Sequence, residues 1–293
     1  MATLRDIKRK IDAVKKTSQI TKAMNMVAAA KLRGAQANME KFHPYAVKFR
    51  EVIGRLAGGA TDSDTTFALM TPREEVKKIE VVVMTADRGL CGSFNNNLIV
   101  TAEKMIRSKR AEGIEISITG AGRKGADYFR RRTSDVRARH IGLLNKPSYD
   151  DARRIGNELI DLFESGAVDE VYVVYSNFRS MAKQIPTLLK LLPLEPEASE
   201  APVSGAATEY LFEPSHEELL TDLLPNYVYI QLLEFLYQTS VSEHAARMTA
   251  MENATSNCKE LVRSLTLTYN KARQASITKE LMDIVGGAEA LKG

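Results

Sequence analysis

Two short stretches carry residues whose types and spacing suit chemistry. The first, EISITGAGRKGADYFRRR, runs from Glu115 to Arg132. Its Gly120, Gly122 and Gly125 form G-x-G-x-x-G between a β-like run and a helix-like one. That arrangement cradles the pyrophosphate of a dinucleotide on backbone N–H groups. The second, TADRGLCGSFNNN (85–97), also joins a strand-like run to a helix-like one. It lacks the G-K-[ST] of a phosphate loop, because Gly92 is followed by Ser93. Cys91 would stand near a helix N-terminus, where the macrodipole lowers a thiol's pKa, but no His or other base lies near it in the sequence. The plainer reading of this second stretch is a Gly-rich turn capped by Ser93.

The fingerprint lacks its usual companions. A dinucleotide site normally follows the first strand of its unit, and an acidic residue about 20 positions on binds the ribose. Here another strand–turn–helix unit comes first, and the segment that follows, SDVRARHIGLL, is basic, with Asp135 ahead of it rather than at its end. Arg137 and Arg139 suit a 2′-phosphate and keep an NAD(P)-linked oxidoreductase as one alternative. Otherwise the glycines serve a tight strand-to-helix turn with close packing. The run YFRRRTSDVRARH and the N-terminal cations Arg5, Lys8, Arg9, Lys10, Lys15, Lys16, Lys22, Lys31 and Arg33 keep a basic coiled-coil nucleic-acid binder as another. A solvated helix face, or contact with acidic protein surfaces, accounts for the same charges.

The totals exclude several classes. The chain of 293 residues is 44% hydrophobic and 27% charged, with a net charge of +4, too modest to demand an anionic partner. Its two cysteines, Cys91 and Cys258, are far apart and outside any C-x-x-C or His/Cys cluster, and there are only four histidines. Neither a disulfide framework nor a zinc site is expected. The charged start MATLRDIKRKIDAVKK argues against a secretory signal. No apolar run approaches the ~20 residues of a membrane span.

The elements that must position these stretches differ between the ends and the middle. From Leu4 the series Ile7, Ile11, Val14, Ser18, Thr21, Asn25, Ala28, Leu32 and Ala35 steps by 3 and 4 without a break, a heptad seam. Ile20, Met24 and Val27 lie beside it and are expected to widen the stripe. One long helix to about Leu56 follows. No Gly or Pro interrupts Asn226 to Val285, and Met251, Ala254, Cys258, Leu261, Leu265, Thr268, Ala272 and Ala275 again step by 3 and 4. About 60 residues make a helix of roughly 90 Å, which needs a partner helix or an enclosing protein. Ser215 and Glu218 read as its capping box. Between the ends, strands are predicted at 79–86, 114–119 and within VDEVYVVYSNF and IPTLLKLLPL, with helices at 93–110, 122–132 and 149–166. Such alternation predicts a parallel-rich, Rossmann-like α/β sheet.

The reading is therefore α/β plus long α: N- and C-terminal helices that pair as an antiparallel coiled coil, with the α/β domain inserted between them. Its parts are a coiled-coil helix over 1–57, the α/β domain over 76–195, an acidic Pro/Ser/Ala-rich linker or strand over 196–214, and the second coiled-coil helix over 215–293. Where a coiled coil usually has Leu and Ile, TKAMNMVAAAKLRGAQA and SEHAARMTAMENATSNC have small and polar residues. A thin, weakly adhesive seam suits a part that turns or slides inside a sleeve, and its slenderness equally fits an ordinary structural spacer.

Three segments carry a resemblance: LRDIKRKIDAVKKTSQITKAMNMVAAAKL, DRGLCGSFN and SEHAARMTAMENATSNCKELVRSLTLTYNKARQASITKELMDIVGGAEAL. In content and order they resemble the gamma subunits of the F-type, proton-translocating ATP synthase, over the whole chain. The resemblance implies a central rotor shaft inside a ring of alpha and beta subunits, resting with the epsilon subunit on the membrane c-ring. It implies no catalysis and no cofactor on this chain, nucleotide and magnesium belonging to alpha and beta. It also implies no nucleic acid partner, no membrane insertion, and a peripheral position on the cytoplasmic face of a bacterial inner membrane. By position in the family's motifs, Lys22, Met24 and Arg247 face an acidic beta loop low on the shaft. Gln274 and Thr278 meet a beta loop higher up, and Tyr210, in YLFEPS, lies at the epsilon contact. The redox-regulatory cysteine pair of plastid versions is missing, which points to a bacterial type.

Overall fold

The computed structural model describes residues 3–59, 67–132, 135–195 and 216–290. Among the described residues the elements follow the chain in this order: helix α1 (Leu4–Gly59), strand β1 (Lys78–Met84), α2 (Phe94–Ala111), β2 (Glu115–Ala121), α3 (Arg123–Arg130), β3 (Val136–His140), a 3-10 turn (Leu143–Asn145), α4 (Tyr149–Glu164), β4 (Glu170–Ser180), β5 (Lys183–Leu192) and α5 (His216–Ala290). The chain divides into two compact units, one of residues 1–29 with 247–293 and one of residues 30–246. Each long helix thus contributes to both units. The 196–214 stretch, with Tyr210, and the cap at Ser215 lie outside the described residues.

The larger unit is built on a five-stranded sheet of order β3-β2-β1-β4-β5. The first four strands are parallel and β5 is antiparallel to β4. β1 is the centre, and both its faces are covered, so Ile79 and Val81–Met84 are apolar on both sides of the sheet, with the buried Glu80 between them. Ile79, Val81 and Val83 pack with Phe94, Leu98 and Ile106 of α2. Val82 and Met84 face Ile155, Leu159 and Phe163 of α4 and Tyr229, Leu232 and Leu236 of α5. Ser148 caps α4 by accepting from the Asp151 N–H at 3.2 Å, which satisfies one donor of the first turn. Within this unit the long helices meet through aromatic pairs, Phe42 with Tyr237 and Phe49 with Tyr227, and through an Arg50–Glu234 ion pair at 2.9 Å.

The smaller unit is an antiparallel pair of helices. Thr21 and Thr255 share a hydroxyl–hydroxyl bond of 2.7 Å. The Asn25 amide donates to the Met248 carbonyl at 2.9 Å. Partner numbers fall on α5 as they rise on α1, so the helices run in opposite directions. The α1 seam lies where the heptad spacing puts it: Ile7, Ile11, Thr21 and Ala28 are buried, and Leu4, Val14, Ser18 and Asn25 are half-buried. Ile20 and Val27 do not widen it, being 60% and 58% exposed. They point away from so narrow a seam.

On α5 the seam differs in phase from the sequence reading. Met251, Ala254, Cys258, Leu265 and Ala272 turn inward as expected, but Leu261, Thr268 and Ala275 are exposed. Thr255, Val262, Tyr269 and Ser276 are half-buried in their place. Where two neighbouring side chains compete for the seam, the tie is broken by the Thr21–Thr255 bond, which rotates α5 toward Thr255 and the residues a heptad apart from it.

Candidate functional site

The fingerprint turn is built from three strand ends. Gly122 opens α3 with φ of 122°, and a Cβ there would stand 1.9 Å from the Thr85 carbonyl oxygen. Only glycine tolerates both that backbone and that approach. Gly125 packs on the Thr85 side chain, where a Cβ would come 2.9 Å from Oγ1. The close-packing role expected of these glycines is the one observed.

The amides a phosphate would use already have partners. Arg123 N–H donates to Asp87 Oδ1 at 2.9 Å, Lys124 N–H to the Ala86 carbonyl at 3.1 Å, and Gly125 N–H to Thr85 Oγ1 at 2.8 Å. Gly122 N–H donates to the His140 carbonyl at 2.7 Å. The Asp87 carboxylate, whose Oδ2 also accepts from Gly142 N–H at 2.9 Å, occupies the place where a helix N-terminus holds an anion. Arg137 and Arg139 are likewise engaged: Arg137 with the buried Glu80 at 3.3 Å and Arg139 with Asp127 at 3.4 Å. In the basic run, Arg132 lies 3.8 Å over the Tyr128 ring and Arg130 reaches Asp127 at 3.8 Å. Asp87 and Thr85 are the residues that decide this turn, and an Asp closing the preceding strand was the signal available for them.

The Cys91 turn is wired from within. Ala86 N–H donates to Asn95 Oδ1 at 2.9 Å, and Asn95 Nδ2 donates to Cys91 Sγ at 3.2 Å. Cys91 is 1% exposed, which removes it from reach of a substrate. Ser93 precedes α2 but makes no side-chain cap. Its Oγ instead accepts from Asn97 Nδ2 at 3.2 Å, because its own backbone is already helical, with φ of -82° and ψ of 0°.

The shaft residues all belong to the smaller unit. Lys22 is exposed and Met24 and Arg247 are half-buried. Through the Thr21–Thr255 and Asn25–Met248 bonds, Lys22 and Arg247 stand within a few turns of each other along the pair. Gln274 and Thr278 are exposed and lie roughly 40 Å farther along α5 at its helical rise. Carrying the register back to Leu4 puts the start of α1 opposite the region of Ala272. Beyond that point α5 continues to Ala290 without a partner helix among the described residues, and Ile277, Leu281, Met282, Ile284 and Val285 are 49–67% exposed. Among the described residues no group of His, Cys, Asp and Glu is placed to hold a metal. None of the described helices is long and apolar enough to cross a membrane.

Comparison with known proteins bears on the whole chain. The sequence model of a family described as ATP synthase matches residues 3–291. The ATP synthase gamma chain of Syntrophobacter fumaroxidans is 72% identical over 292 residues, covering 100% of both chains. The chain belongs to the ATP synthase gamma chain family. The gamma chain of Nitratidesulfovibrio vulgaris is 50% identical over 295 residues, again covering 100% of both. Among solved structures, a chain of the Euglena gracilis mitochondrial ATP synthase, from an OSCP/F1/c-ring assembly, matches with a TM-score of 0.68 at 21% identity. That match covers 98% of this chain and 94% of that one. A chain from the central stalk and c-ring of the Tetrahymena thermophila mitochondrial enzyme matches with a TM-score of 0.61 at 22% identity, covering 80% of this chain and 99% of that one. Those chains share this fold.

Proposed function

We propose that this gamma chain is the central rotor shaft of a bacterial F-type ATP synthase and carries no catalytic residue. The observation that carries the reading is the end of α5, which outruns its partner helix while exposing a series of large apolar side chains. A bare apolar helix in water calls for a sheath, and a ring of alpha and beta subunits supplies one. The thin seam below it, with threonine and asparagine where leucine is usual, keeps the pair slender. Torque enters from the membrane c-ring and the epsilon subunit at the α/β unit. The turning shaft then offers each beta subunit a different set of contacts in succession. Those differential contacts bias beta between conformers of unequal nucleotide affinity. Nucleotide and magnesium stay on alpha and beta, and the chain is peripheral to the cytoplasmic face of the inner membrane.

Lys22, Met24 and Arg247 make the lower beta contact in this reading, and Gln274 and Thr278 the upper one. Exposed cations and amides bind an acidic loop weakly enough to release it, since such pairs contribute about 0–1 kcal/mol each. The test is reconstitution with alpha and beta subunits. An ATPase-active complex that requires this chain is expected, and Gln274→Ala, at an exposed position, should reduce turnover while leaving the melting temperature of the chain unchanged. Equal activity in a complex assembled without the chain would overturn the reading.

A further inference from the structure

The edge strand β3 is tied to the sheet by side chains as well as by backbone. Its pairing with β2 steps from Ile118–Val136 to Thr119–Ala138, which leaves Arg137 as the extra residue of a β-bulge. A bulge re-aims the side chain it carries, and this one sends a guanidinium across β2 toward the central strand. Arg137 Nε lies 3.3 Å from Glu80 Oε1, and Nη2 donates to Thr119 Oγ1 at 2.7 Å. Glu80 is fully buried and also accepts from the Ser117 and Thr119 hydroxyls.

The outer side of Arg137 meets α4, where Nη1 stands 3.8 Å from Glu158 Oε2. The same oxygen lies 3.2 Å from Nε2 of His140, at the end of β3, so one carboxylate oxygen serves two basic side chains. His140 is 8% exposed, and its Nε2 makes no aligned hydrogen bond. The charges that face the ring are Arg137 on β3 and Arg154 and Glu158 on α4. Glu80 of β1 lies behind Arg137, and Asp87, from the turn after β1, holds the next stretch through Gly142 N–H. Burial disfavours the charged ring most, Arg154 and Arg137 add to that, and Glu158 opposes them. A neutral imidazole suits this setting. A protonated one is a third cation held away from water against a shared carboxylate. The His140 carbonyl accepts from Gly122 N–H at 2.7 Å, so a ring that turns out to water pulls on the glycine turn.

We infer that the β3–α4 edge is an acid-released clasp, closed over a neutral His140 and opened locally when that ring takes up a proton. The open form binds the proton more readily than the closed one, so acid favours opening. The bulge keeps Arg137 on Glu80 in both forms, which confines the opening to the end of β3 and the turn at Gly122. The clasp belongs to the α/β unit, so it stands apart from the shaft reading and either can fail alone.

Hydrogen exchange of the full-length chain provides the test, read by mass spectrometry near pH 7 and about pH 5.5 and corrected for intrinsic exchange rates. Peptides spanning 119–124 and 136–142 should exchange severalfold faster in acid, while those of β4 and β5 should not change. His140→Gln cannot take up the proton and should remove the acid response. Glu158→Gln leaves a charged imidazole without its counterion and should enlarge the response. It decides the matter alone if His140→Gln does not fold. A response that Glu158→Gln abolishes would make Glu158 the titrating group and overturn the proposal. So would a response that His140→Gln retains, an equal response in β4 and β5, or none at all.

Discussion

The two units are held together by different means. At the centre of the sheet, Ile79, Val81, Val82, Val83 and Met84 are each 0% exposed, and large side chains such as Phe163 and Leu159 close over them. In the helix pair the seam alternates a few aliphatic residues with Ser18, Thr21 and Asn25, and two hydrogen bonds set its register. Apolar burial contributes about 25 cal/mol per Å², so the sheet unit draws its stability from area. A single buried hydrogen bond contributes only about 1 kcal/mol net, yet it is directional. The pair therefore gains definition rather than strength.

That contrast can be broken most forcefully from the sheet side. Phe163→Ala should lower the stability of the α/β unit by about 3–5 kcal/mol. Hydrogen exchange read segment by segment should show the loss across β1 and β4 and leave residues 10–25 of α1 unchanged. Uniform loss along α1 would mean that the two units unfold as one. Gly122→Ala comes next. Its forced backbone and its clash with the Thr85 carbonyl should cost roughly 2–3 kcal/mol, again confined to the α/β unit in urea melts.

Thr21→Val probes the other side. It should cost about 1 kcal/mol, visible as faster exchange in the helix pair with the sheet unaffected. Disulfide trapping between engineered cysteines should report more alternative registers. The smallest effect concerns His140, 8% exposed. Burial holds its pKa below the ordinary value of 6.5, opposed in part by Glu158 at 3.2 Å. The unfolded chain then binds a proton that the folded one refuses, so stability is full above the unfolded pKa and falls as pH drops below it. Arg137, Arg154 and Glu158 are the charges facing it. Comparing melts near pH 7 and about pH 5.5, His140→Gln should flatten the decline relative to the parent chain.

Much of this was legible in the sequence, and the exceptions have physical causes. The α1 seam was readable because a 3,4 spacing is a local property that needs no knowledge of the partner. The α5 seam was not, since Leu261 and Val262 serve equally as apolar residues and only a bond from α1 decides between them. The parallel-rich α/β sheet follows from β–α alternation, whereas its strand order does not. The engagement of the fingerprint turn's amides does not follow either, because their acceptors, Thr85, Ala86 and Asp87, follow a different strand, β1. The shaft positions were carried by motif; Lys22, Gln274 and Thr278 are exposed and Met24 and Arg247 half-buried. Tyr210 lies outside the described residues.

Asn25 grips a carbonyl, not a side chain. Every amino acid at position 248 offers that same oxygen, so the bond is blind to what evolution writes there. Position 25 has no such licence: few residues place an amide donor at that reach. A saturation library scored for helix-pair register should therefore be lopsided, permissive at 248 and strict at 25. One helix is free to drift in sequence while the other keeps the alignment.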